Sequence, residues 1–194
     1  MTGTAETEIR RTHAITTVEL QRYKNNIALT TLQTLHLGAL NVWGNSLPSE
    51  TMPHEQITVD GVPFSVSPAT GEAPDNIRCA GQYLELPETA ADWLHLLATS
   101  ERRCEETVHI HYSSGAADRE RLRVSDFLPA RSHFGELLAA RSPAMHYPHH
   151  RQDNLSGQIW AVRVPVTRRE TLRGFRLPDN PAIHIFALST EEVR

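Results

Sequence analysis

The chain has 194 residues, enough for one domain with a hydrophobic core that needs no disulfide or metal staple. Its 19 Lys and Arg against 23 Asp and Glu leave a net charge of −4, which argues against a nucleic-acid partner, and no apolar run approaches a membrane span. Only two cysteines, Cys79 and Cys104, and an N-terminus without an apolar signal core predict reduced thiols and a cytoplasmic setting.

Residues 1–14 read as a charged, mobile arm, and residues 15–194 as a single domain. Twelve prolines and ten glycines fall between short segments, and no amphipathic stretch is long enough for a helical bundle. Those features predict an all-β fold, a two-sheet antiparallel β-sandwich. "ITVDGVPFSV" (57–66) is a hairpin with Asp60-Gly61 at its turn. Strands are expected in "CAGQYLEL", "DWLHLLAT", "ETVHIHYS", "ERLRVSDF", "GQIWAVRVPV", "TLRGFRL" and "AIHIFALS", while "FGELLAARS" fits a helical turn or a strand. The tripeptide Pro-Asp-Asn occurs at 74–76 and again at 178–180, each time before an apolar run. Proline fixes φ, and the Asp and Asn side chains bond nearby backbone, so each copy marks the start of a strand.

Alternation assigns faces. In "TVHIHY", Val108, Ile110 and Tyr112 share one side and His109 and His111 the other; in "RLRV", Leu122 and Val124 oppose Arg121 and Arg123. If these runs form a hairpin, His109, His111, Arg121 and Arg123 lie on one polar, cationic face. Such a face is either a solvated outer surface or the floor of a groove for a polar or anionic ligand.

In order along the chain, "VELQRYKNNIA" (18–28), "WGNSLPSETMP" (43–53), "ITVDGVPFSVSPATGEAPDNIRCAGQ" (57–82), "LHLLATS" (94–100), "VHIHYSSG" (108–115), "LRVSDF" (122–127) and "LPDNPAIHIFALS" (177–189) resemble the auxiliary β-sandwich modules of bacterial glycoside hydrolases of the fucosidase and mannosidase type. The resemblance implies a jelly roll of the galactose-binding kind with a saccharide-binding loop end or sheet face. It does not imply hydrolysis, because the catalytic carboxylates of such enzymes lie on another domain. The chain departs from the modules at Asn41 and Trp43, where an aspartate and a glycine are expected, and at Leu47, where tyrosine is common. The modules also carry an arginine-histidine pair near His146, which makes His146 an expected ligand contact, although Met145 stands in place of the arginine.

Among the three tryptophans, Trp93 and Trp160 sit in strand-like runs and are expected inside, whereas Trp43 lies in a loop. Its indole is the expected stacking surface for a sugar, with Asn41 and Asn45 as a polar rim. Asp126 and Glu136, with His133 between them and His146 downstream, are the acid–base candidates, and His109 and His111 join them as catalytic candidates. The histidine-rich "MHYPHHRQDN" (145–154) reads as a loop with no standard zinc spacing. "HIH" is similar to the cupin His-x-His but lacks the glutamate that should follow. No metal and no cofactor are expected, since phosphate-loop, dinucleotide and nucleophile-elbow motifs are all missing. The expected partner is a small molecule or saccharide. Two functions fit: a binder of a carbohydrate or sugar-like molecule, and a natural-product tailoring enzyme (cyclase, dehydratase or isomerase) that moves a proton with a histidine–carboxylate pair.

Overall fold

The structure, a computed structural model, describes residues 13–128 and 131–193. Among these are fourteen strands: β1 (His13–Val18), β2 (Leu29–Thr30), β3 (Leu47–Pro48), β4 (Glu55–Val59), β5 (Val62–Val66), β6 (Ile77–Arg78), β7 (Tyr83–Glu85), β8 (Trp93–Ser100), β9 (Cys104–Tyr112), β10 (Ala117–Val124), β11 (Leu137–Tyr147), β12 (His150–Pro165), β13 (Leu172–Arg176) and β14 (Ile183–Val193). The described helical segments are single 3-10 turns, and no helix is long and apolar enough to cross a membrane. Residues 1–12 of the expected arm lie outside the described residues, and His13 and Ala14 already belong to β1.

The fold is the all-β sandwich that alternation predicts. One sheet runs β1-β14-β8-β12-β11, with β6 also on β14, and the other runs β10-β9-β13-β7. Between them, Leu94, Leu96, Trp160, Val162 and Ile185 meet Val108, Ile110, Tyr112, Leu122 and Phe175, all buried. Full burial of such side chains contributes about 1.5–3 kcal/mol each before chain entropy is charged.

A cover adds a third layer that the two-sheet expectation lacks. The β4–β5 hairpin and the segment carrying Ala28, Leu29, Leu40, Leu47 and Met52 pack on the far side of the larger sheet, against Leu97, Ile159, Phe186 and Ala187. The hairpin turns at Asp60 and Gly61, both with positive φ (49° and 79°), as a tight turn between twisted strands requires.

Two local features position the site. In β14 the register against β8 shifts between Ile185 and Ala187, so Phe186 is an extra residue. Before this bulge the odd residues Ile183 and Ile185 face the sandwich core; after it, Ala187, Ser189 and Glu191 face the cover. On the other flank β11 pairs with β12 only up to Ala161, which leaves the Val162–Pro165 end of β12 open beside β10.

The stretch 145–154, expected as a loop, is the tip of the long β11–β12 hairpin, with Tyr147 paired to His150 across Pro148-His149. Of "FGELLAARS", residues 137–142 form the start of β11 and residues 134–136 precede it.

Candidate functional site

On the cover side of the larger sheet, three side chains from three neighbouring strands converge. Ser189 of β14 pairs with His95 of β8, and Val193 pairs with His13 of β1, so Glu191 lies diagonal to both histidines on one face. Glu191 Oε2 accepts a hydrogen bond from His95 Nε2 at 2.6 Å, and Oε1 accepts one from His13 Nδ1. The side chains of His95 and Glu191 are only 12% and 11% exposed, whereas that of His13 is half exposed. Burial pushes the Glu191 carboxyl up, but the two imidazole hydrogen bonds outweigh it and hold the carboxyl below the usual range. An ionised Glu191 fixes the proton of His95 on Nε2. That leaves Nδ1 as the basic nitrogen.

His95 lines a cleft of about 560 Å³, a volume suited to a small molecule. Phe64 of the hairpin, Arg163 of β12, Arg121 and Arg123 of β10, Leu137 at the start of β11 and Phe134 just before it also line it. Arg163 is the direct cross-strand neighbour of His95, and its guanidinium lies 4.8 Å from the centroid of the Trp93 ring. The open end of β12 and the cover together make the recess. A two-layer sandwich alone would have left this sheet face flat.

The predicted site residues are not gathered in one place. The β9–β10 hairpin forms, with Arg119 opposite His109, Arg121 opposite Thr107 and Arg123 opposite Glu105, so the expected cationic face exists. Its members serve different ends. Arg121 and Arg123 both engage Glu105 and line the His95 cleft. His111 lies in a separate recess of about 460 Å³ with Arg173, its ring 5.2 Å edge-on from Tyr83. Burial first, then the charges of His109, Arg176 and Arg173, lowers the His111 pKa, and its Nε2 is buried without a partner.

Glu136 lines the cleft, but its carboxylate is engaged: it accepts hydrogen bonds from Ser125 N (2.7 Å), Ser125 Oγ (2.9 Å) and Phe134 N (3.0 Å). These bonds tie Ser125 to the segment that leads into β11. Asp126 Oδ1 is 3.7 Å from His133 Nε2, beyond hydrogen-bond distance, and neither residue lines the cleft.

Asn41, Trp43, Asn45 and His146 gather elsewhere. Trp43 is 64% exposed, as a stacking surface requires. Its expected rim is already committed: Asn41 Oδ1 accepts bonds from Trp43 N and Asn45 N (both 3.1 Å), and Asn45 is buried. His146 is fully buried, its Nδ1 bonded to Thr30 Oγ1 at 2.8 Å, its Nε2 without a partner and its backbone bridged to Ser46, so it ties the cover to the β11–β12 hairpin. Burial is also what chiefly lowers its pKa.

Sequence reasoning missed His95, Glu191 and His13. The available signal was His95 between Leu94 and Leu96 in an apolar strand, a titratable group where a sheet buried on both faces has none to spare. Among the described residues, no three His, Cys, Asp or Glu are arranged to hold a metal, and Cys79 and Cys104 are both free thiols.

No curated protein matches the chain. A family model does match, over residues 14–194, and it supports the β-sandwich module implied by the sequence resemblance without carrying anything of a glycoside-hydrolase origin. The match spans nearly all the strands described above, from β1 to β14. On that coverage, the chain belongs to the AziU2-like β-sandwich domain family.

Proposed function

We propose that the protein is a small tailoring enzyme that binds a small molecule in the His95 cleft and moves a proton on it. The observation that carries this reading is the Glu191–His95 hydrogen bond at the cleft wall. Glu191 orients the imidazole and stabilises its protonated form; His95 Nδ1 takes a proton from the substrate and returns it to another atom. Cyclisation, dehydration and isomerisation share this step. The family's namesake, AziU2, is associated with natural-product biosynthesis, which fits such chemistry. The two free thiols suit a reducing cytoplasm.

The test is turnover of biosynthetic intermediates supplied by enzymes encoded beside the gene. His95→Ala is expected to lower turnover by about a hundredfold or more while substrate still binds. Unchanged turnover in that variant refutes the assignment. A second reading, saccharide binding, is favoured by the exposure of Trp43. Its check is quenching of Trp43 fluorescence by saccharides, lost in Trp43→Phe.

A further inference from the structure

We infer that the cleft takes a small organic carboxylate with an apolar body, and that Arg163 is the anchor for its carboxylate. The inference rests on the proposed reading for the cleft's role, and adds the class of molecule.

Four observations point there. First, Arg163 has no ion-pair partner among the described residues, whereas the other two arginines of the cleft share Glu105. Second, the Trp93 ring supports the Arg163 guanidinium at 4.8 Å. Stacking on an indole fixes the plane of the fork and leaves its N–H edges free for the two-pronged bond that a carboxylate accepts. Third, Arg163 is paired directly with His95 across β12 and β8. Cross-strand neighbours have Cβ atoms about 5 Å apart, so a carboxylate on Arg163 brings the carbons next to it alongside the imidazole. Fourth, Phe64, Phe134 and Leu137 give the rest of the molecule an apolar wall.

The charges set how much anion the cleft accepts. Asp60, Glu120 and the hydrogen-bonded Glu136 stand among its lining residues, and of its arginines Arg163 has no ion-pair partner among the described residues. One negative charge is met by Arg163; a second, as on a phosphate monoester, faces these carboxylates.

Calorimetric titration with 3-phenylpropionate, 3-phenylpropionamide and phenyl phosphate tests the anchor. The carboxylate is expected to bind at least about tenfold more tightly than the neutral amide, as a charge-assisted pair implies, and more tightly than the phosphate. Arg163→Gln should abolish that preference, and Arg163→Lys should restore part of it, with unchanged melting curves showing that both variants fold. His95 side-chain resonances should shift when the carboxylate is added. Equal binding of acid and amide, a preference that survives Arg163→Gln, or no binding of any probe at millimolar concentration overturns the inference. Turnover separates the two claims: a bound carboxylate without turnover of any acid sinks the enzyme and leaves the anchor, while His95-dependent turnover of a neutral substrate does the reverse.

Discussion

His184 Nδ1 donates a hydrogen bond to Asn76 Oδ1 at 2.8 Å, joining residues 108 positions apart. Asn76 ends the first Pro-Asp-Asn and His184 follows the second, and the strands they introduce, β6 and β14, pair through His184 with Arg78 and Ile185 with Ile77. The repeated tripeptide thus starts two adjacent strands. Its two aspartates differ: Asp75 is buried and accepts bonds from Ala28 N, Leu29 N and Asn76 Nδ2, fixing the segment that leads into the cover.

Asp75 and His184 together predict a masked pH dependence. Burial raises the Asp75 pKa from 3.8 to about 6, against the pull of its hydrogen bonds, and burial lowers that of His184 from 6.5 to about 4. Between pH 4 and 6, folded Asp75 keeps a proton that the unfolded chain has lost, so its contribution to stability falls as pH rises. In the same window unfolded His184 binds a proton that the folded ring refuses, so its contribution grows. The two nearly cancel. Asp75→Asn should therefore make the slope of stability against pH more positive than in the parent protein, and His184→Gln more negative, each by up to about 1.4 kcal/mol per pH unit. Urea unfolding across this window measures it, and parallel curves for all three proteins refute it.

For Glu191→Gln, the expected loss is in orientation. A glutamine oxygen accepts a bond from one histidine, but its amide cannot accept from the other, and the charge that stabilises the imidazolium is gone. Turnover should fall about a hundredfold, with the pH profile of the rate altered, while the fixed Nε2–H tautomer of His95 disappears from nitrogen NMR spectra. Stability follows a separate rule. Because the folded carboxyl is held down, its contribution is full above the unfolded value of 4.5 and lost as pH falls through the folded value, so parent and variant should converge in acid.

The legible parts of the molecule are the local ones. Asp60-Gly61 announces its hairpin because two consecutive positive-φ positions demand such residues, and the His109/His111 and Arg121/Arg123 faces follow from strand period alone. Glu191 was hidden twice. Its partner His95 is 96 residues away, and the bulge at Phe186 reverses the side on which strict alternation from Ile183 would place it. The stretch around Pro148 misled in the opposite sense. A proline within a histidine-rich polar run signals a loop, yet here it occupies the two-residue turn of a hairpin, where no ladder bond is needed.

The cover is testable by overpacking. A Cβ on Gly157 would sit 2.2 Å from Leu47 Cδ2, and Leu47 is fully buried. Gly157→Ala should cost about 1–3 kcal/mol through displaced packing, and Leu47→Ala about 2–5 kcal/mol through the cavity it leaves. In the double variant the added methyl enters that cavity. Its total cost should be less than the sum of the single costs, a coupling that denaturant melts of the four proteins resolve; additive costs would separate Leu47 from Gly157.

The tryptophans give the sharpest contrast in stability. Trp160 is 2% exposed, fills the space between the sheets and donates its Nε1–H to the Asp126 carbonyl at 2.8 Å. Trp160→Ala removes that volume and strands the carbonyl, an expected cost of about 3–5 kcal/mol. Trp43, at 64% exposure, makes its only hydrogen bond described in the loop through the backbone, to Asn41 Oδ1. Trp43→Ala should therefore change stability by less than about 0.5 kcal/mol, since neither a cavity nor an unpaired polar group results. Thermal or urea melts decide it, and a large loss at Trp43 would mean that the loop it crowns packs against more of the cover than its exposure indicates.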